Sequence, residues 1–324
     1  MADRPVEELA AIIIRQERTA LTNALDAAVR TFDSPPDGSA RSIDKKTIDV
    51  QGSVAKENLH GMAASLAEDA YNILRSMDQY AQAIQHVLTG DQMLPLPLSS
   101  MVRSIHECAL VLCPLFDPAI QSDERIARMG AMHLAKAQGG LDALQAFPQN
   151  QQKEKQKKTE AVAGIQQYMK KAGYEIHAHK DNPHLATSVS WGTAKKFSLR
   201  GNTTAASKLY TPEIHYNWVL GSGATHGHLW YSNGMSGEWD TIVVGIVAPL
   251  LDISDVLVDI LLGYAGVDGR QLHLQTHTRR RVLLARTHPE PLAGDYDHYR
   301  GFIPGTHADG KPTSDKPTTA GEIT

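Results

Sequence analysis

"MVRSIHECALVLCPLF", Met101–Phe116, decides the fold class. Drawn as a helix, it is apolar on nearly every side, and only Arg103, His106 and Glu107 carry ionisable polar groups. Such a helix leaves no face for water and belongs inside a bundle. It is predicted over about 99–116, with Ser99 or Ser100 as its cap and Asp117-Pro118 as its stop. On its N-terminal side, "MLPLPLSS" reads as a stiff connector. Before that, a long helix over about 55–88 shows an apolar stripe through Leu59, Met62, Leu66, Ile73, Met77 and Ile84, and ends at Thr89-Gly90. On the C-terminal side, "SDERIARMGAMHLAKAQGGLDALQAF", Ser122–Phe147, reads as a helix capped by Ser122. Its acids sit in the first turn, where the helix dipole favours them, and Gly139-Gly140 marks a kink or break.

The rest of the chain extends this pattern. Residues 5–30 form a helix with Pro5 in its first turn, and 32–53 read as a loop. A basic connector leads into a helix ending at Gly173. From 174 to 200, "YEIHAH" and "TSVSWG" alternate as strands do. Helix resumes with Thr203 or Thr204 as one cap and Thr211 as another, and two more helices span about 240–264 and 268–286. The tract Thr241–Val267 is interrupted by Pro249, Asp252, Asp255 and Asp259, so it reads as a buried helix pair and not as a membrane span. The fold class expected is mostly α, a multi-helix bundle with a small β or extended insertion around 174–200. The domains expected are an N-terminal helix and loop (1–54), the bundle (55–286) and a disordered tail (287–324).

Bulk properties narrow the function. The 324 residues carry a net charge of −4, which argues against a surface that is all nucleic-acid footprint. The two cysteines, Cys108 and Cys113, lie about 140° apart around one helix and cannot pair there. They fit a reducing compartment, so a soluble, cytoplasmic protein is expected, with no membrane partner. A homodimer and an RNA partner stay open. No Gly-Lys-Ser/Thr phosphate loop, dinucleotide fingerprint or Gly-x-Ser-x-Gly elbow is present.

Arg103 and Glu107, four apart, meet on one face of the apolar helix. They read either as a structural ion pair or as a preorganised centre in which Arg103 holds an anion and Glu107 orients it or acts as base. Arg125 and Arg128 share a face and could join Arg103 in a cationic pocket; the alternative is pairing with Asp123, Glu124 or the next helix. "GSGATHGHLWY", Gly221–Tyr231, places Ser222 and His226 on one helical stripe with His215, while His228 faces away. His215 and His226 lie about 16 Å apart along the axis, too far to share an ion. His177, His179 and His184 give a His-x-His pair plus a third, an acceptable but unforced metal pattern. The runs Lys153–Lys158 and Arg279–Arg281 read as solvated charge, with RNA contact as runner-up. The expectation is no metal and no cofactor.

The order of these marks resembles an uncharacterised family of bacterial helical proteins. It carries Arg-x-x-x-Glu on an apolar helix, an acid-Arg pair opening the next, and a Tyr-containing helix with Ser-x-x-x-His-Gly. The matching residues are Arg103, Glu107, Glu124, Arg125, Tyr216, Ser222, His226 and Gly227. The resemblance implies a bundle in which Arg103, Glu107 and His226 converge. These three are the candidate catalytic residues expected, and Arg125, Arg128, Ser222 and Tyr216 the candidate binding residues. A looser similarity is to the HEPN superfamily, which includes RNases of toxin and defence systems and uses Arg, four to six residues, then His. That spacing occurs at Arg128/His133, Arg270/His277, Arg281/His288 and Arg300/His307. It implies, as the alternative to a binding role, a metal-independent RNase.

Overall fold

The computed structural model describes residues 5–90, 94–145, 152–180, 182–226 and 238–287. Its described elements are α1 (Val6–Thr31), α2 (Ala40–Asp49), α3 (Ser53–Leu88), α4 (Pro95–Phe116), α5 (Ser122–Gln145) and α6 (Gln152–Lys171). Then come β1 (Glu175–His179), β2 (Asn182–Ser190), β3 (Phe197–Ser198), α7 (Thr203–Tyr210), α8 (His215–Thr225), α9 (Trp239–Ala265) and α10 (Arg270–Leu284). The fold is mostly α with one small antiparallel sheet in the order β1-β2-β3, Glu175 facing Ser190 in register.

The two most apolar helices sit where their composition requires. α9 packs against α1, α4 and α10, and α4 against α3, α8 and α9. Ile14, Ile84, Leu112, Val247 and Leu251 are fully buried in this main core. Both α4 and α9 are long and apolar enough to cross a bilayer, and half or more of each apolar window is buried in the bundle. A second core joins α3, α5, α6 and the sheet through Leu59, Ile126, Leu134, Met169 and Val189. There the Tyr174 hydroxyl donates to Ile126 O at 2.7 Å and Trp191 Nε1 to Ala172 O at 3.0 Å. The insertion is therefore anchored by its aromatic flanks.

Several local expectations change. The stretch 32–53 contains α2, because Ser39 Oγ accepts from Ser42 N and starts a helix within the loop. α4 begins at Pro95, not at a Ser99 or Ser100 cap, since proline is preorganised for a first turn. α5 runs unbroken through Gly139-Gly140, and its opening Ser122 Oγ has no hydrogen-bond partner. Asn202, not Thr203 or Thr204, caps α7. Thr241–Val267 is one helix, not a pair, with Pro249 held inside it. α9 ends at Gly266, whose φ of 72° is left-handed and whose added Cβ would stand 2.7 Å from Ser39 Cβ. The chain then turns back, and α10 packs along α9.

α1 and α2 share the cores of the remaining helices. Glu17, 1% exposed, takes hydrogen bonds from Ser254 Oγ at 2.5 Å, Thr276 Oγ1 at 3.0 Å and Arg279 Nη1 at 2.8 Å. One carboxylate thus ties α1 to α9 and α10. The tail from 288 lies outside the described residues.

Candidate functional site

Arg103 and Glu107 do meet. Arg103 Nε donates to Glu107 Oε1 at 2.9 Å and Nη2 lies 2.8 Å from the same oxygen. The third arm donates to Trp218 O at 3.1 Å, and the guanidinium lies 4.6 Å from the centre of the Trp218 ring. Gly221 lets the helices close, since a Cβ there would stand 2.9 Å from Arg103 Cβ. The arginine therefore clamps α4 to α8. His226 does not complete the expected trio. It sits exposed just past the end of α8 with its backbone N–H on Ser222 O, while the hydrogen bonds of Arg103 run to Glu107 and Trp218 O. α8 ends at Thr225, four residues past Gly221, and Arg103 meets it at Trp218 and Gly221. Ser222 is half-buried and Tyr216 exposed on the same helix.

The histidines that do lie near Arg103 are His106 and His215. His106 Nε2 lies 2.7 Å from Thr211 Oγ1, Thr211 Oγ1 donates to Ser207 O at 3.0 Å, and His215 Nδ1 lies 3.0 Å from Ser207 Oγ. Thr211 Oγ1 thus joins the His106 ring to Ser207, whose Oγ also lies 3.3 Å from it. Burial, with the neighbouring His215 and Arg103 charges, pushes the His106 pKa down to about 4. The ring is neutral at physiological pH.

His106 and Arg103 line a half-open cavity of about 540 Å³ between α4, α8 and α9. Its walls are chiefly apolar, from Val102, Leu220, Ile246 and Ile253, with Tyr216 at one side. Pro249 also lines it and lacks the N–H that would bond Gly245 O four residues back. Asn217 Nδ2 reaches that carbonyl at 3.5 Å, the edge of hydrogen-bonding range. A Cβ added at Gly245 would meet nothing within 4 Å, so the space beside it is open.

The cationic pocket does not form. Arg125, 4% exposed, donates through Nε and Nη2 to the buried Asp44 at 2.7–3.1 Å and caps the carbonyls of Asp117 and Ile120. Arg128 is bound to Glu124, to Pro114 O at 2.9 Å and to Tyr210 Oη at 3.3 Å. Both are consumed holding helix ends together. His133 is half-buried on α5, five residues and so about 140° around from Arg128. In the sheet, His177 Nε2 bonds Ser190 Oγ at 3.1 Å and His179 is exposed. The side chains of His184 and His228, and the pairs ending in His288 and His307, lie outside the described residues.

A cluster unforeseen in the sequence lies across Thr211 from the cavity. Asp252, Asp255 and Asp259 of α9 face His273, His277 and Arg280 of α10. His273 Nδ1 lies 3.0 Å from Asp255 Oδ1 and 3.8 Å from Asp259 Oδ2; His277 Nε2 lies 3.2 Å from Asp255 Oδ2. The two Nε2 atoms are 2.8 Å apart. Asp252 Oδ1 meets Arg280 at 2.8 Å. Burial pushes the Asp252 and Asp259 carboxyls up to about 6, and burial beside His273 holds His277 down to about 4. Among the described residues, Asp255, His273 and His277 are the set whose ligand atoms could hold a metal ion. The run Arg279–Arg281, expected as solvated charge, instead gives Arg279 to Glu17 and Arg280 to Asp252. The signal was available: carboxylates at i, i+3 and i+7 on the most apolar helix, and His-x-x-x-His on the next.

No known protein family, curated protein or solved structure matches the chain.

Proposed function

We propose that the protein binds a small, largely apolar molecule carrying N–H or O–H donors, seated in the cavity between α4, α8 and α9. The observation that supports this most is a half-enclosed, apolar volume of about 540 Å³ lined by the His106 ring and by Gly245, whose carbonyl has lost its helical N–H donor to Pro249 and keeps only a 3.5 Å contact with Asn217. Small-molecule sites have this composition, mostly apolar walls with a few placed polar groups. An anionic ligand fits less well, because Arg103 already spends its charge on Glu107 and Trp218 O. Arg103 acts here as a clamp that fixes the wall.

Ligand-observed NMR on the full chain with benzamide, phenol and cyclohexylamine, against benzoate, tests this. The donors are expected to bind and benzoate not. Gly245→Leu fills the open space at little folding cost and is expected to remove the binding. Binding by none of the donors, or equal binding by the Gly245→Leu variant, overturns the reading.

A further inference from the structure

We propose that Asp255, His273 and His277 form a site for a divalent transition-metal ion, bridging α9 and α10. The inference is independent of the cavity reading, since none of the three residues lines that cavity.

Geometry comes first. One ligand atom from each residue lies within 4.8 Å of the other two. Ligand atoms bound at about 2.0–2.1 Å to one tetrahedral ion stand about 3.3 Å apart. The two Nε2 atoms at 2.8 Å and the His277 Nε2–Asp255 Oδ2 pair at 3.2 Å are already close to that spacing. Two histidines four apart on one helix share a face and can bind one metal ion, and helical bundles complete such centres with carboxylates from facing helices.

Unsatisfied atoms come second. Asp255 Oδ1 and His273 Nδ1 lie 3.0 Å apart, both buried, and among the described residues neither has a well-aligned hydrogen-bond partner, so their attraction is chiefly one of charge. Buried polar atoms are seldom left so. Two imidazole nitrogens 2.8 Å apart also cannot both carry protons, so at least one lone pair is turned inward.

Charge comes third. Arg279 answers Glu17, and Arg280 answers Asp252. Among the described residues, the ion-pair partners of Asp255 and Asp259 are histidines. With those rings neutral, as ligands must be, two negative charges remain in a largely buried place. One divalent cation balances them. The donor set then selects the ion. Two imidazoles with carboxylate favour zinc and its transition-metal neighbours over calcium or magnesium, which prefer oxygen throughout. Asp259 Oδ2, 3.8 Å from His273 Nδ1, stands ready to orient that ring or to fill a fourth position. Asp259 and His273 also face a cleft of about 580 Å³ beneath the turn Gly266–Arg270, which gives an ion a way in.

Calorimetric titration of Zn2+ into untagged, chelator-treated full-length protein tests the site. One ion per chain is expected. His273→Gln and His277→Gln are each expected to abolish binding, and Asp259→Asn to weaken it about 10- to 100-fold. His177→Gln, on the sheet, is expected to leave it unchanged. No Zn2+ binding by the parent, binding that survives both α10 variants, or binding lost only in His177→Gln overturns the site. Should the α10 variants fail to fold, the parent loaded with Co2+ decides. Intense visible absorption from a four-coordinate ion supports the site, and the weak spectrum of a hydrated six-coordinate ion overturns it.

Discussion

Replacing Glu17 by alanine is expected to be among the costliest single changes in the chain. The carboxylate is 1% exposed and takes hydrogen bonds from Ser254, Thr276 and Arg279. Its loss strands the Ser254 hydroxyl and a guanidinium that is itself only 14% exposed, while Thr276 keeps its bond to Leu272 O. Removing one partner of a buried ion pair costs about 3–5 kcal/mol, because the other charge stays buried without compensation. Arg279 retains some contact with water, so the lower end, about 3 kcal/mol, applies. At about 2.1 cal/mol/K of unfolding entropy per residue, a chain of 324 residues shifts by roughly 1.5 °C per kcal/mol, so the melting temperature should fall by about 4–5 °C. Urea unfolding followed by circular dichroism gives the free energy directly. Pairing Glu17→Leu with Arg279→Leu provides the decisive comparison. The double variant should be more stable than Glu17→Leu alone, since no stranded charge remains. A cost below about 1 kcal/mol for Glu17→Ala, or a double variant less stable than Glu17→Leu alone, refutes the reasoning.

Three further outcomes follow from particular contacts. His106, with a folded pKa of about 4 against about 6.5 unfolded, binds more protons when unfolded between those values. Its contribution is therefore full above pH 6.5 and lost as pH falls toward 4, a total of about 3 kcal/mol, and the stability difference between parent and His106→Gln should shrink over that window in urea titrations. Gly130→Ala puts a methyl group into the Tyr174 ring, which is held by its bond to Ile126 O, and should lower stability by about 1–3 kcal/mol as overpacking does. Gly266→Ala combines a left-handed φ of 72° with a 2.7 Å approach to Ser39 Cβ, and should cost at least about 1 kcal/mol in the same assay.

What the sequence made legible, and what it hid, divides along one physical line. Periodicity exposed the helices and the alternating insertion, because one face must be buried in each. It could not expose α2, whose ten residues carry few apolar positions and rest on the Ser39 cap and the Asp44–Arg125 pair. The polar partnerships were half visible. Arg103 and Glu107 were found because they sit four apart on one helix, a distance the chain itself defines. Arg125 with Asp44 and Glu17 with Arg279 lie far apart along the chain, and nothing local pairs them. Asp252, Asp255 and Asp259 were read as interruptions of an apolar tract. The same logic that singled out Arg103, charge on a buried helix, applied to them with greater force. His226 failed for another reason. Helical counting placed it on a stripe, but α8 ends one residue before it.

The Glu17 knot also carries a consequence in time. Glu17 and Arg279 are 262 residues apart along the chain. At ribosomal speeds of about 5–20 residues per second, Arg279 emerges roughly 13–50 s after Glu17 has left the exit tunnel. α3 can cover part of α1 early, since the two pack together, but the buried acid has no cation until the last helix arrives. α1 is thus made long before it is locked. A ribosome-bound chain stopped before Arg270 should display α1 accessible to proteases, and one extended past Leu284 should not.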